Sequence, residues 1–539
     1  MRSRHIYWFG LIFILVIQSC SNTDSNHKKI FRYNQPQQLT SLDPAFARNQ
    51  SNIWAVNHLY NTLVQLDDSL HLQPCIAHSW SIADGGRRIT FLLRNDVYFH
   101  DDPCFNDGKG RRVVARDFVY SFQRIIDSTV NSPGSWVFIG RVRDSLPFVA
   151  RNDSTFEIYL KEPFMPFLQI LSMQYCSVVP HEAVEKYGLN FRSHPVGTGP
   201  FRFVRWIEGQ VMILARNEHY FEKINGQQLP YLDGIRIEFI GDRKAAFLQL
   251  LEGGLDYING FDPSMAFELF DRDGLLRKKY SDKVRAYKAP YLNTEYLGFN
   301  LEKIQNSPFL SDPRFRKALN YGFNRAEMLK TIRRGIGHPA ISSFVPFGLP
   351  SYDEKKVPGY HYDPEESRQL LDECGYSKLP MDKRPLLTIL TPKDYSDYCL
   401  FIIRQWESLG IKCKIDVAEA ATIREMVRNG KASFFRASWL ADYSDAENYL
   451  TCFYGENSAP PNYTRFKNAR FDALYSAALS ETDEVKRMAL YQEMQRIIVD
   501  DVPVIFLFYD EVRAFTTLDI ENYHPNSLNI LKVKYIKKK

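Results

Sequence analysis

The segment Ala432-Ser-Phe-Phe-Arg-Ala-Ser-Trp-Leu-Ala-Asp-Tyr443 predicts a strand that runs into a turn at the border of a cleft. Its first residues are apolar enough to be buried, which is typical of a strand inside a sheet. Arg436 and Asp442 then place a cation and an anion six residues apart. Because the start of the segment is buried, we expect these two charges at a sheet edge or cleft rather than in free solvent.

This strand edge has the chemistry of a binding site. An edge offers backbone N–H and C=O groups to an extended ligand, and flanking charges of opposite sign can hold the two ends of a zwitterion. A short peptide is such a zwitterion. The alternative is a structural ion pair between Arg436 and Asp442, although an exposed pair contributes only about 0–1 kcal/mol to stability.

The two halves of the chain around this strand differ in pattern. The first half predicts strands at 88–93, 155–160 and 234–240, a hairpin joining 200–206 to 211–216, and a helix over 116–126. The second half predicts helices after Asp312-Pro313 and Asp363-Pro364, at about 398–409 and about 484–499, and then an apolar strand at 504–508. Alternating strands and helices in the second half indicate an α/β lobe.

These patterns predict an α/β protein with two lobes and a ligand cleft between them. The chain of 539 residues is longer than one core normally organises. We expect a signal peptide at 1–19, a polar tether at 20–29, a first lobe with an inserted strand-rich subdomain at 30–290, an α/β second lobe at 291–500 and a C-terminal return to the first lobe at 501–539.

The N-terminus predicts export. Arg2 and Arg4 precede an apolar run of 12 residues, Ile6 to Ile17, which is too short to span a bilayer but suits an export signal. Ser19-Cys20 follows, and a small residue before Cys resembles the cleavage site of a bacterial lipoprotein, in which Cys20 is lipidated. The alternative is an ordinary signal peptide with an incidental cysteine.

Charge and cysteine content exclude several classes of function. A formal net charge of +5 is small for this length and argues against a nucleic-acid partner. The basic C-terminus, Lys532 to Lys539, is interpreted as a solvated chain end. With Cys20 lipidated, seven cysteines remain without a Cys-x-x-Cys spacing, so a zinc site is not expected. We also predict no other metal and no cofactor.

Catalytic motifs are lacking as well. The sequence has no Gly-x-Ser-x-Gly elbow, no phosphate-binding glycine loop and no His-Glu-x-x-His. Gly197-Thr-Gly199 lacks a third glycine and a following helix, so it predicts a turn into a strand. Asp442 and Asp445 are conceivable as paired carboxylates of an exported hydrolase, but Ser444-Asp445 is also ordinary turn chemistry. We predict no enzymatic activity.

Segments spread over nearly the whole chain resemble one family in order. They are Leu42-Asp-Pro44, Leu59 to Val64, Ile76 to Trp80, Phe91 to His100, Ala115 to Phe122, Pro195 to Phe201, Leu297 to Asn300, Arg314 to Tyr321 and Tyr362 to Glu366. On these segments the chain resembles the family 5 solute-binding proteins of bacterial ABC importers. The resemblance implies the large, two-lobed periplasmic-binding-protein fold (type II, cluster C) with an extra N-terminal subdomain.

The resemblance is closest to the oligopeptide-binding lipoproteins, whose ligand-binding strand carries Arg, Trp and Ala-Asp-Tyr at this spacing. It implies that Asp442 receives a peptide's α-ammonium group and that Arg436 meets a carboxylate. Ser438 and Leu440 would offer backbone groups, and Trp439 would line a side-chain pocket beside Tyr443. The C-terminal stretch 526–536 also resembles that subgroup. Leu440 stands where some members have a disulfide-forming cysteine, so that crosslink is not expected.

The resemblance also implies partners and location. The chain would capture short peptides and deliver them to an inner-membrane ABC permease with separate ATPase subunits. We expect a monomer, anchored by lipid to the cell envelope and facing the periplasm, with either membrane as the anchor site. A non-peptide solute such as a nickel chelate, a glycan or another small molecule is the alternative ligand within the same fold.

Overall fold

A computed structural model describes residues 28–272 and 274–539. The expected signal peptide, Cys20 and most of the tether lie outside these residues. Within them, no helix combines the length and the apolar character that crossing a membrane requires.

The described residues form strands that range from two to sixteen residues in length. They are β1 (Ile30–Asn34), β2 (Val64–Leu66), β3 (Leu72–Pro74), β4 (Ala77–Ala83), β5 (Arg88–Leu93), β6 (Phe148–Asn152), β7 (Thr155–Tyr159), β8 (Phe201–Ile207), β9 (Val211–Arg216), β10 (Lys223–Ile224), β11 (Gln227–Gln228), β12 (Gly234–Glu238), β13 (Tyr257–Asn259), β14 (Val284–Phe299), β15 (His338–Pro339), β16 (Leu387–Thr391), β17 (Cys413–Val417), β18 (Phe434–Leu440), β19 (Val504–Thr517), β20 (Ile520–Glu521) and β21 (Lys537–Lys538).

Helices alternate with these strands, mostly in the second half of the chain. They are α1 (Gln50–Leu59), α2 (Ala115–Ile126), α3 (Phe167–Ile170), α4 (His181–Tyr187), α5 (Arg243–Leu251), α6 (Ala266–Leu269), α7 (Lys278–Ser281), α8 (Leu301–Ile304), α9 (Pro313–Tyr321), α10 (Arg325–Arg333), α11 (Pro364–Glu373), α12 (Ser396–Ser408), α13 (Ala420–Arg428), α14 (Glu447–Leu450), α15 (Ala469–Ser480) and α16 (Glu484–Asp501).

One mixed sheet runs through the molecule in the order β17-β16-β18-β14-β19-β13-β1-β12-β9-β8, with β15 added on β19. The two long strands β14 and β19 lie side by side at its centre, paired from Val284 with Thr517 to Gly298 with Val504. Their pairing shifts register between Pro290 and Thr294. We call the part on the β13 side lobe I and the part on the β18 side lobe II; β14 and β19 belong to both.

Lobe I contains a strand-rich subdomain. A separate sheet of order β4-β5-β7-β6 packs on α2. Phe118 and Phe122 of α2 bring their rings within 6 Å of the Phe156 ring, and Phe138 and Phe148 complete the cluster. Aromatic packing of this kind buries a large apolar area in a small subdomain.

Lobe II buries both faces of its sheet. One core cluster includes Phe344, Tyr449 and Ile498, and another, on α9 and α12, includes Leu319 and Trp406. Burial on both faces explains why Val504 to Phe508 is continuously apolar rather than alternating.

Most predicted elements are present with shifted ends. The helices predicted after Asp312 and Asp363 are α9 and α11, and both aspartates accept hydrogen bonds from backbone N–H groups of the first turn. The predicted 504–508 strand extends to Thr517 as β19, and the last helix ends at Asp501. Residue 290 lies inside β14 and residue 500 near the end of α16; the domain boundaries there stay predictions.

The interpretation of the basic C-terminus as a solvated end is wrong. Lys534 Nζ lies 2.6 Å from the Glu222 carboxylate, and both side chains are at least 85 % buried. Lys538 Nζ lies 2.9 Å from the Asp256 carboxylate, which also pairs with Arg32 on β1. Because lobe I presents buried carboxylates along the path of the chain, the lysines fasten the terminus to it.

Candidate functional site

A cavity of about 330 Å³ lies where the two lobes meet. Lobe I supplies most of its wall, from α1, the segment 172–177, Trp136 and the C-terminal segment 527–534. Lobe II contributes Leu440, Ala441, Asp442 and Tyr443, and Tyr291 comes from β14. The volume lies at the lower end of the range for small-molecule sites, about 300–1,000 Å³.

The strand that leads into this cavity has an open edge. β18 pairs with β14 along its whole length, from Phe434 with Phe299 to Leu440 with Asn293. On its other side, the described part of the chain offers a single pairing, Phe435 with Leu390 of β16. The edge of β18 beyond Phe435 is therefore available to an added strand.

The register identifies the residues whose backbone faces that edge. The Ala441 N–H donates to the Leu292 carbonyl at 2.9 Å, which continues the ladder between β18 and β14. Antiparallel pairs alternate, so residues 435, 437, 439 and 441 direct their backbone groups to β14. Ser438 and Leu440 direct theirs to the open edge, and both residues are exposed.

Asp442 follows β18 directly and lies on the cavity wall. Its backbone N–H donates to Asn448 Oδ1 at 3.2 Å, which fixes the turn. The residue is exposed to solvent at the mouth of the cleft. Desolvation by the surrounding protein raises the pKa of its carboxyl above 3.8, against the opposing effect of a hydrogen bond with Asn448. A cation in the cavity would offset the cost of this desolvation by favouring the ionised carboxylate.

Tyr443 joins the two lobes. It is buried, its ring stacks on Trp136 of lobe I at a centroid distance of 6.4 Å, and its O–H donates to the Glu447 carboxylate. Burial raises the pKa of Glu447, against the opposing effect of hydrogen bonds from Tyr443 and Tyr475. The Tyr443 ring therefore forms part of the lobe contact as well as part of the cavity wall.

Arg436 is already paired inside lobe II. Its guanidinium forms an ion pair with the Glu295 carboxylate of β14, and the two side chains are 10 % and 4 % exposed. The guanidinium also lies over the Tyr395 ring, 3.1 Å from its centroid. An ion pair with Asp442, the structural alternative drawn from the sequence, does not occur among the described residues.

The structure thus separates the six predicted site residues. Leu440, Asp442 and Tyr443 line the cavity, whereas Arg436, Ser438 and Trp439 do not. Trp439 donates its indole N–H to Asn448 Oδ1 at 3.2 Å and packs against the core of lobe II. Their ligand roles, including the Trp439 pocket, remain predictions.

Asp445 does not share the cavity with Asp442. Its side chain is buried and its residue is 5 % exposed, behind the turn that carries Asp442. Two carboxylates facing one substrate are needed for glycoside hydrolysis. The described residues also contain no group of three or more His, Cys, Asp or Glu side chains with the arrangement of a metal site.

Sequence reasoning missed the lobe I wall of the cavity. Arg48, Trp54, Trp136 and Tyr175 come from three segments far apart in the chain, since only Arg48 and Trp54 are close in sequence. None has a local motif, because each is brought to the cavity by the packing of α1 and the loops around it. The C-terminal segment 527–534 did have a signal, its resemblance to the ending of the oligopeptide binders.

The chain matches the family model described as bacterial extracellular solute-binding proteins, family 5 Middle, over residues 71–460. Heme-binding protein A of Haemophilus influenzae is 30% identical over 464 residues, which cover 83% of this chain and 81% of that protein. The periplasmic oligopeptide-binding protein OppA of Escherichia coli is 27% identical over 505 residues, with coverages of 88% and 86%.

The fold comparison agrees with these matches. The periplasmic binding protein DppA from Helicobacter pylori, solved with the peptide STSA, superposes with a TM-score of 0.72 at 24% identity and covers 95% of this chain and 98% of that one. The chain therefore belongs to the family 5 extracellular solute-binding proteins, as the resemblance predicted. Members of this family are binding proteins rather than enzymes, and the predicted two-lobed fold is confirmed.

Proposed function

We propose that this chain is the substrate-binding lipoprotein of a bacterial ABC importer and captures short peptides in the cleft between its lobes. One observation carries the proposal: the open edge of β18 leads directly to the carboxyl of Asp442 on the cavity wall. An extended peptide needs both features, a strand edge for its backbone and an anion for its α-ammonium group.

The proposed complex uses main-chain contacts for affinity. The peptide's amino end lies at Asp442, and its backbone pairs with Ser438 and Leu440 as an added strand. Such bonds do not depend on side-chain identity, so peptides of varied sequence are accepted. The aromatic wall formed by Trp54, Trp136 and Tyr175 offers apolar contact to the peptide's side chains.

Delivery to a permease requires a change that the ligand stabilises. Only β14 and β19 continue through both lobes of the described sheet, and their pairing is irregular near Pro290. An irregularity in the pairing of two strands that run through both lobes can act as a hinge between the lobes. A peptide that contacts both lobes stabilises their closed arrangement, and a permease can then recognise the loaded form.

A non-peptide solute is the second candidate. The open edge that β18 presents to the cavity is short, and the wall opposite it includes the rings of Trp54, Trp136 and Tyr175, which also suits a flat or rigid small molecule. The relative from Haemophilus influenzae is named for heme binding. Such a ligand has no need of an ammonium group at Asp442.

Native mass spectrometry of the purified, unlipidated protein tests the proposal. Peptides that co-purify and are released on denaturation would establish peptide capture and show its length range. Equal binding of N-acetylated and free peptides would contradict the amine anchor at Asp442. An apo mass that does not shift with a mixture of peptides would favour the non-peptide solute.

The lipid anchor belongs to the same proposal. Cys20 becomes the lipidated first residue and holds the protein at the cell envelope with its cleft facing the periplasm. Metabolic labelling with a tagged fatty acid tests this directly: we expect label on the wild-type chain and none on Cys20→Ala. Label retained by Cys20→Ala would contradict this role of Cys20.

A further inference from the structure

The charged side chains on the cavity wall are not equally available to a ligand. Arg48, Lys532, Lys534 and Asp442 line the cavity. Lys532 Nζ lies 2.9 Å from the Asp68 carboxylate, and Lys534 Nζ lies 2.6 Å from that of Glu222. Both lysines are therefore neutralised within lobe I.

Arg48 and Asp442 are the two cavity charges left without a counter-ion in the described residues. Arg48 is exposed, and its guanidinium has no hydrogen bond, ion pair or ring contact there. The hydrogen bonds of Asp442 in the described part of the chain go to the neutral amide of Asn448. By contrast, Arg436 is paired with Glu295 and does not line the cavity.

The backbone that carries Arg48 is held rigidly on both sides. Asp43, five residues earlier, receives two hydrogen bonds from the Arg124 guanidinium. Gln174 Nε2 donates to the Ala47 carbonyl at 2.7 Å. Asn49, directly after Arg48, caps α1 through its side chain. An arginine on such a fixed segment loses little backbone entropy when it binds an anion.

Tyr175 shows that both free charges act on the same part of the cavity. Burial raises the pKa of its phenol to about 12, Asp442 adds to this rise and Arg48 opposes it. Tyr175 also lines the cavity. Because Arg48 and Asp442 line the same cavity of about 330 Å³, a carboxylate at Arg48 and an ammonium group at Asp442 would belong to one small ligand.

We infer that Arg48 is the anion-binding residue of the cleft and receives the ligand's carboxylate while Asp442 receives its amine. The ligand class is then a compact zwitterion with both end groups free, such as a short unmodified peptide. A guanidinium suits this role because its planar fork matches a carboxylate with two parallel hydrogen bonds. This inference rests on the proposed function and replaces Arg436 by Arg48 at the carboxylate end.

A competition between free and C-terminally amidated peptides tests the inference. The probe is an equimolar mixture of randomised di- to pentapeptides with free C-termini and the same mixture as isotope-labelled amides. Retained peptides are counted by mass spectrometry. We expect wild-type protein to enrich free acids over amides by at least about tenfold, the usual effect of a hydrogen-bonded charge. Arg48→Gln is expected to retain both forms equally, and Arg48→Lys to discriminate partially.

Arg205→Gln is the matched control, because Arg205 is exposed on β8 and does not line that cavity. It is expected to discriminate as the wild type does. Equal retention of acids and amides by the wild type, or undiminished discrimination by folded Arg48→Gln, would overturn the role of Arg48 alone. Retention of neither form by the wild type would overturn the proposed peptide function and this inference with it.

Discussion

Arg436 on β18 is ion-paired with Glu295 on β14. The charge of its guanidinium is therefore neutralised within lobe II. Glu295 lies two residues from Asn293, whose side-chain amide donates to it at 3.1 Å. The pair is buried and partly hydrogen-bonded, which makes it part of the structure of the β14–β18 ladder.

Removal of Glu295 tests this structural role. We expect Glu295→Ala to lower the free energy of unfolding by about 3–5 kcal/mol, because Arg436 would be left buried without its counter-ion. Urea denaturation followed by tryptophan fluorescence measures the change. Glu162→Ala, which removes the exposed Arg87–Glu162 pair, is the control and should cost about 0–1 kcal/mol. Similar losses in the two variants would mean that the Glu295 pair is solvated.

Substitution of Asp442 tests the amine anchor. We expect Asp442→Asn to weaken the binding of free peptides by about 1.5–3 kcal/mol, since it removes the charge that faces the ammonium group. Isothermal titration calorimetry with a co-purified peptide gives the affinity. Asp416→Asn changes an exposed carboxylate on β17, outside the cavity, and should leave the affinity unchanged. An unchanged affinity in Asp442→Asn would remove Asp442 from the site.

The raised pKa of Asp442 predicts how binding depends on pH. Only the ionised carboxylate attracts an ammonium group, so affinity should rise with pH through a midpoint above 3.8. Affinity should fall again near pH 8, where the peptide's α-amine loses its proton, at about 7.7–8.0. The peptide's own α-carboxyl titrates at about 3.3–3.7 in both proteins, so titrations should show the part of the acidic limb above this range in the wild type and not in Asp442→Asn. A limb above this range that persists in the variant would assign it to another group.

Substitution of Lys534 tests whether its ion pair with Glu222 holds the C-terminus on lobe I. We expect Lys534→Met to lower the free energy of unfolding by about 3–5 kcal/mol, because the Glu222 carboxylate would remain buried without a cation. Lys534→Met combined with Glu222→Gln should recover part of the loss. Lys539→Met alters an exposed pair with Glu521 and should cost about 0–1 kcal/mol. If Lys534→Met lowered the free energy of unfolding no more than Lys539→Met, the C-terminus would be a solvated chain end, as the sequence predicted.

Gly197 in the Pro195-to-Pro200 motif allows a close approach of two backbones. A Cβ atom there would lie 2.0 Å from the Leu59 carbonyl oxygen at the end of α1. We expect Gly197→Ala to cost about 1–3 kcal/mol through overpacking and to displace α1, which lines the cavity. Gly241 has open space around its Cβ position, so Gly241→Ala should be nearly neutral. Thermal melting compares the two, and equal midpoints would contradict the crowding.

Local sequence signals accounted for elements whose cause is local. Asp312-Pro313 and Asp363-Pro364 predicted helix starts, because an aspartate cap followed by proline acts through backbone groups within one turn. The end of β19 was underestimated, since pairing with β14 and β13 carries the strand beyond its apolar run. The segment 436–443 was located correctly as a strand running into a turn, but its pattern does not say which side chains point to a partner.

Periodicity, caps and ordered motifs act over short separations, so the sequence alone predicted the family, the two-lobed α/β fold and the placement of Asp442 at the end of a strand. Which charges are free follows only from the packed fold. Arg436 is ion-paired with Glu295, 141 residues away in the sequence, and Lys534 with Glu222, 312 residues away. Arg48 and Asp442 remain available in the cavity since no packed element brings them a counter-ion among the described residues. Charge pairing depends on distances in space, and these are set by packing rather than by neighbours in the chain.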